Sequence, residues 1–205
     1  MHTQGVMNQL NGVGLSIAGR WLLPVFFCLC LLAPGMLTAD GERGSFTVTG
    51  VQPRRGEDAW RVDATLNIHL SKGAREALDN GVPLLLELQV QALERQPWMW
   101  DKVIAEGKRS YQLQYHALSR TYLVKNLNTG FQRSFRYLQD ALQDAGIMED
   151  VKVVEFDEMK DGRRYTVRLR GRLDIESLPT PVRLLAYVSS AWDMDNEWYK
   201  WRLAR

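Results

Sequence analysis

The chain has 205 residues, with 26 Lys and Arg against 24 Asp and Glu and a formal net charge of +2. So even a balance gives no strong global field for nucleic acid or for an anionic surface, and no nucleic-acid partner is expected. Both cysteines, Cys28 and Cys30, lie before residue 40, which excludes thiol nucleophiles, cysteine metal sites and disulfides from everything after it.

Arg20 is the only Lys, Arg, Asp or Glu before residue 40, and residues 21–39 are an unbroken apolar and small-residue run. An isolated apolar stretch led by a positive residue reads as an export address. Pro34 and Gly35 break a helix just before Ala39, which suits the last position before a signal-peptidase cut. Left uncut, the run falls within the roughly 17–25 residues a bilayer-spanning helix needs. Residues 1–39 are therefore expected to be a signal peptide or an uncleaved N-terminal membrane anchor. Residues 40–205 are expected to be one exported, periplasmic domain, either released or held at the inner membrane through residues 21–39. Phe27 and Leu29 precede the cysteines where a lipoprotein site needs a small residue. The exported part holds 25 of the 26 basic residues and all 24 acidic ones, and six of the seven tryptophans.

Within that part, residues 46–52 predict a short strand and residues 53–58 a turn. From Trp60 to Leu70, apolar Trp60, Val62, Ala64, Leu66, Ile68 and Leu70 alternate with polar neighbours, the mark of a strand with one buried face. Ser71 is placed to cap a helix over residues 72–79, which Asn80-Gly81 ends. Residues 82–94 predict a second long strand, interrupted by Pro97-Trp98-Met99-Trp100-Asp101. Two more strands are expected over residues 108–119 and 121–127. Phe131, Phe135, Leu138, Ala141, Leu142 and Ala145 follow helical spacing, and Gly146 stops that helix. Residues 149–156 and 164–175 read as strands around a Lys160-Asp161-Gly162 turn. Leu178-Pro179-Thr180-Pro181 reads as a rigid extended connection. A short element over residues 182–187 precedes an aromatic terminal strand over residues 191–203. About eight strands with one wet face argue for antiparallel pairing. The expected fold is an α+β domain, an antiparallel β-sandwich-like sheet structure with two or three short helices.

An ordered set of stretches then becomes informative: EALDNGVPLLLELQVQ at residues 76–91, WMWDK at 98–102, LQYHALSRTYLV at 113–124, LQDAL at 138–142, GRLDIESLPTPVRL at 171–184 and NEWYKW at 196–201. Together they resemble an uncharacterised family of exported proteobacterial proteins known as domain of unknown function 4390, over nearly all of residues 46–203. The resemblance implies an export signal. By the family's gene neighbourhoods it also implies a role near a membrane sensor histidine kinase. It carries no activity, substrate or catalytic residue.

No Gly-x-Ser-x-Gly, phosphate-binding loop, dinucleotide fingerprint or HExxH motif occurs. His69 and His116 are the only histidines after the leader and have no ligand spacing around them, so no metal and no cofactor are expected. His116 is expected to be a structural hydrogen-bond hub. Asp193, Asp195 and Glu197 lack the fixed Gly and terminal Glu of a calcium loop. Two groups remain as a candidate interaction surface. Arg164, Arg168, Arg170 and Arg172 share strand parity and make a cationic stripe, open to an acidic headgroup, a glycan phosphate or an acidic partner. The bland alternative is pairing with Glu155 and Asp157 across the preceding turn. Trp98 and Trp100 flank Met99 in a Pro-led loop and serve either an interface or core closure. The expected function is a non-catalytic binding module of the cell envelope, with a membrane-associated envelope protein as partner. The alternative is a carrier holding a lipid or other apolar molecule inside the sandwich.

Overall fold

A computed structural model describes residues 43–194 and 197–203 of the chain. The expected export segment, residues 1–39, lies outside them. The first alternating stretch folds as a long hairpin, β1 (Ser45–Arg55) against β2 (Ala59–His69). β1 continues through Pro53, beyond its expected end at Gln52. It is an edge strand, where a missing N–H need not break the ladder. β7 (Ile147–Glu155) pairs with the other side of β2 and completes a three-stranded sheet.

The second sheet has six strands: β3 (Leu84–Glu94), β4 (Lys102–His116), β5 (Thr121–Asn126), β6 (Gln132–Phe135), β8 (Tyr165–Leu173) and β9 (Tyr199–Arg202). Their spatial order is β6-β5-β4-β3-β8-β9, and every neighbouring pair is antiparallel. Three helices complete the domain: α1 (Lys72–Asp79), α2 (Leu138–Ala145) and α3 (Thr180–Val188). The Ser71 hydroxyl accepts from the Ala74 N–H at 3.2 Å and caps α1, as its position foretold. The α+β, sandwich-like expectation holds.

The two sheets share one core. Val62, Leu66 and Ile68 of β2 belong to the same buried cluster as Leu86, Leu88 and Val90 of β3 and Val167 and Leu169 of β8. Phe46 joins the sheets. It is 1% exposed, and its ring lies where Gly171 of β8 has no side chain: a Cβ there would sit 2.3 Å from the Phe46 ring. These side chains form the buried interior between the two sheets.

Several boundaries differ from the expected ones. Residues 131–137 are not the start of the helix; residues 132–135 form the edge strand β6, and α2 begins at Leu138. Phe131 and Phe135 are four residues apart, a spacing that strand and helix periods both satisfy, and pairing with β5 decides for the strand. β4 begins at Lys102 rather than Lys108 because β3 pairs along its whole length, Glu94 opposite Lys102. Residues 180–181 already belong to α3, with proline in its first turn, where a missing N–H is tolerated. The terminal segment is a 3₁₀ turn, Ser190–Trp192, followed by the short strand β9.

The hairpins define two ends of the sandwich. At the entry end lie Gly44, packed against Met194 and the Ser71 backbone, and the turn into α1; the β8 terminus at Leu173 leads into α3. At the far end lie the β1–β2 turn, the β3–β4 loop and the β7–β8 connection. The 11 residues of β3 separate the two ends by about 36 Å at roughly 3.3 Å per residue.

Candidate interaction surface

β8 displays Arg168, Arg170 and Arg172 on the outer face of the six-stranded sheet, as their parity required. Their partners are not Glu155 and Asp157, because β7 belongs to the other sheet. β8 pairs with β3, placing Arg168, Arg170 and Arg172 directly opposite Gln91, Gln89 and Glu87. Arg168 Nε donates to Gln91 Oε1 at 2.8 Å, and Arg170 Nε to Gln89 Oε1 at 3.0 Å. Arg172 Nε lies 3.5 Å from Glu87 Oε2, and Lys108 of β4 donates to the other Glu87 oxygen. Glu87 is thereby only 5% exposed although it sits on the outer face. Trp198 lies against two of the guanidiniums, 4.3 Å from Arg168 and 4.4 Å from Arg170, each contact worth about 0.5–1 kcal/mol at an exposed site. The arginines therefore form a ladder under Trp198, with Arg168 and Arg170 bonded to neutral glutamines and only Arg172 beside carboxylates.

Arg164 belongs elsewhere. It precedes β8 at the far end, on the rim of a recess of about 600 Å³. The Lys160-Asp161-Gly162 turn forms one wall, with Gly162 supplying a φ of 78°. Tyr165, buried, accepts the Lys160 N–H at 2.7 Å through its hydroxyl and so fixes this turn. Trp60, Phe156, Met159 and Leu203, each half-buried, make an apolar floor. Arg55, Lys160, Arg163, Arg164 and Arg202 are exposed around it, and Asp161 is the only acid among the lining residues. Arg55 stacks on Phe156 at 4.8 Å, and Arg163 is paired with Glu94 at 3.2 Å. A cationic rim over an aromatic floor accepts an anionic group carried on an apolar body.

The β3–β4 loop borders this recess. The Arg95 N–H donates to the Arg164 carbonyl at 2.9 Å, tying the loop base to the rim. A second recess, lined by Arg95, Asp101, Lys200, Trp201 and Arg202, shares Arg202 with the first. The indole N–H of Trp201 is buried there without an acceptor among the described residues. At the loop tip, Trp98 is 96% exposed and Trp100 94% exposed, with Met99 exposed between them. Core closure by these two rings is thus ruled out. Covering one such ring removes roughly 150–250 Å² from water, worth about 4–6 kcal/mol before the costs of association.

Trp98, Trp100 and Arg164 are therefore brought to one end, and Arg168, Arg170 and Arg172 to the neighbouring sheet face. The residues that complete the far end, Arg55, Trp60, Phe156 and Arg202, come from segments far apart in sequence. Their only local trace was the recurrence of arginine at turns, Arg54-Arg55 and Arg163-Arg164. His116 is exposed at the base of the β4–β5 hairpin, opposite Thr121, and its ring makes no hydrogen bond among the described residues, so it is not the expected hub. The turn is closed instead by the hydroxyls of Ser119 and Thr121, 2.8 Å apart.

Other charge clusters serve the scaffold. Asp63 accepts from Arg54 at 2.8 Å and from the Asp150 N–H at 2.8 Å; the Arg54 guanidinium, then that N–H, hold its carboxyl below the usual carboxylate range. This brace sustains Asp150 at a φ of 49° where β7 slips in register against β2. Burial pushes the Tyr111 phenol up, and its hydroxyl donates to the Ile147 carbonyl at 2.9 Å. Among the described residues no three His, Cys, Asp or Glu side chains are grouped to hold a metal ion, and no helix is long and apolar enough to cross a membrane. Asp195 lies outside the described residues.

Residues 43–202 match the sequence model of a family described as domain of unknown function (DUF4390). No curated protein and no solved structure matches the chain.

Proposed function

Because the chain belongs to this DUF4390 family, whose description assigns no activity, its role has to be read from its surface, and we propose that it is a non-catalytic docking module of the cell envelope that binds a protein partner through the far end of the sandwich. The observation that carries this reading is the exposed Trp98-Met99-Trp100 tip on the loop that borders a recess with a basic rim and an aromatic floor. Exposed tryptophans with arginine beside them are the side chains most enriched among residues that dominate binding energy. The recess adds selection for an acidic side chain next to an apolar one. The partner is a membrane protein facing the same compartment, and the sensor histidine kinase implied by the family resemblance is the first candidate. Export by residues 1–39 places the domain there.

A photocrosslinking amino acid in place of Trp98 in the full chain, expressed in its native envelope, tests this. The expected result is one discrete adduct whose mass identifies an envelope membrane protein, and which disappears when Arg164 and Arg202 are both changed to Glu. The same crosslinker at Lys125, on the exposed face of β5, is expected to give none. Equal adducts at both positions, or none at 98, would refute the docking role.

A further inference from the structure

The entry end carries a second uncovered apolar surface, of a different kind. α3 buries Ala186 alone; Leu184, Leu185, Tyr187 and Val188 are exposed, Val188 by 84%. They cover too much of the helix circumference to fit a narrow groove, and suit a helix lying flat in an interface. The same end carries another apolar point. β4 pairs Leu113 with Leu84 and then runs three residues beyond the start of β3, so the β4–β5 hairpin projects there with Leu118 fully exposed at its tip. α3 is held at this end by its neighbours on both sides. The Asp174 N–H donates to the Leu85 carbonyl at 2.8 Å just before it, and Trp192 just after it packs over Gly73 of α1.

The chain also enters the domain here, at Gly44. Four residues, 40–43, separate Gly44 from Ala39, the last residue of the apolar run, and they reach at most about 14 Å. The 19 residues 21–39 fall within the roughly 17–25 apolar residues that crossing a bilayer requires. We propose that this end rests on the bilayer that residues 21–39 enter, with Leu184, Leu185, Tyr187 and Val188 of α3 seated in the lipid interface and Leu118 touching it. The inference rests on the reading of residues 21–39 as a retained anchor and not on the partner bound at the far end. Lys72, Arg75, Arg120 and Arg183 are offset at this end by Glu76, Asp79, Glu176 and Asp193, so the contact is apolar and changes little with salt. Tyr187 supplies the amphipathic ring favoured at such depth. The far end, with Trp98 and Trp100, then projects away from the membrane.

The test uses the full chain with Cys28→Ser and Cys30→Ser, a single Leu185→Cys labelled with an environment-sensitive fluorophore, and vesicles of phosphatidylethanolamine and phosphatidylglycerol. The label is expected to emit at shorter wavelength than in buffer, at low and high salt alike, and to be quenched by a nitroxide on the lipid acyl chain. The same label at Met99→Cys is expected to behave as in water. Adding Leu184→Ser and Val188→Ser, both exposed and so harmless to folding, is expected to abolish the response at 185 with unchanged Tm. A water-like label at 185, an equal response at 99, or a chain that does not remain with the vesicles would overturn the proposal. Each of these outcomes leaves a Trp98 crosslink intact, so failure here and failure of the docking role are separately visible.

Discussion

Phe46→Ala is expected to lower the stability of the domain by about 3–5 kcal/mol, the range for truncating a buried phenylalanine. Phe46 sits on the edge strand β1 yet is among the largest fully buried side chains, because its ring crosses to the other sheet and fills the space over Gly171. Removing it opens a cavity between the sheets that neither hydrogen-bonded ladder can collapse to fill. The pairing with Gly171 gives the prediction a second part. Gly171→Ala alone places a Cβ 2.3 Å from the Phe46 ring and is expected to cost about 1–3 kcal/mol by overpacking. In the Phe46→Ala background that clash is gone, so the two changes are expected to cost clearly less together than their sum. Urea unfolding of the two single variants and the double variant measures the coupling. Additive losses would mean that the ring does not occupy the space over Gly171.

The second large effect is expected at Gly146. Its φ is ordinary, so the requirement is for space, unlike Gly81 at a φ of 83°, where the backbone conformation itself calls for glycine. Gly146 ends α2, and its carbonyl accepts the Leu66 N–H of β2 at 2.9 Å. A Cβ there would lie 2.1 Å from the Leu66 carbonyl oxygen, which is backbone and cannot rotate away. Gly146→Ala must therefore push α2 off β2 and stretch that hydrogen bond. Strain of about 1–3 kcal/mol and a weakened bond of about 0.5–1.5 kcal/mol together give roughly 1.5–4.5 kcal/mol. Thermal unfolding is expected to show this loss, with faster amide exchange in residues 138–146. A variant within about 0.5 kcal/mol of the parent, the range of an indifferent surface change, would contradict the close approach of α2 to β2.

Faces were legible in the sequence; neighbours were not. The alternation from Trp60 to Leu70 assigned the buried face of β2 because side-chain parity is a local property. The same parity put Arg168, Arg170 and Arg172 on one face, correctly. It could not name their partners, because Gln91 and Arg168 are 77 residues apart and the β3–β8 pairing is set by the whole sheet. Glu87 shows the same limit: its outward parity implies a solvated carboxylate, and only the arrival of Arg172 and Lys108 from two flanking strands covers it. The misread helix start at Phe131 came from a spacing of four, which cannot distinguish the two periods. The Pro-led loop left Trp98 and Trp100 open between an interface and core closure, and their exposure decides for the surface. The recess beside them was invisible, since Arg55, Trp60, Phe156 and Arg202 meet only after both sheets are assembled.

Docking through the far end is tested most directly by hydroxyl-radical footprinting of the full chain in intact envelopes and after purification. Oxidation of Trp98 and Trp100 is predicted to fall several-fold in the envelope, while that of Phe131, exposed on the β5–β6 connection, stays the same. Equal oxidation of Trp98 and Trp100 in both preparations would contradict the account.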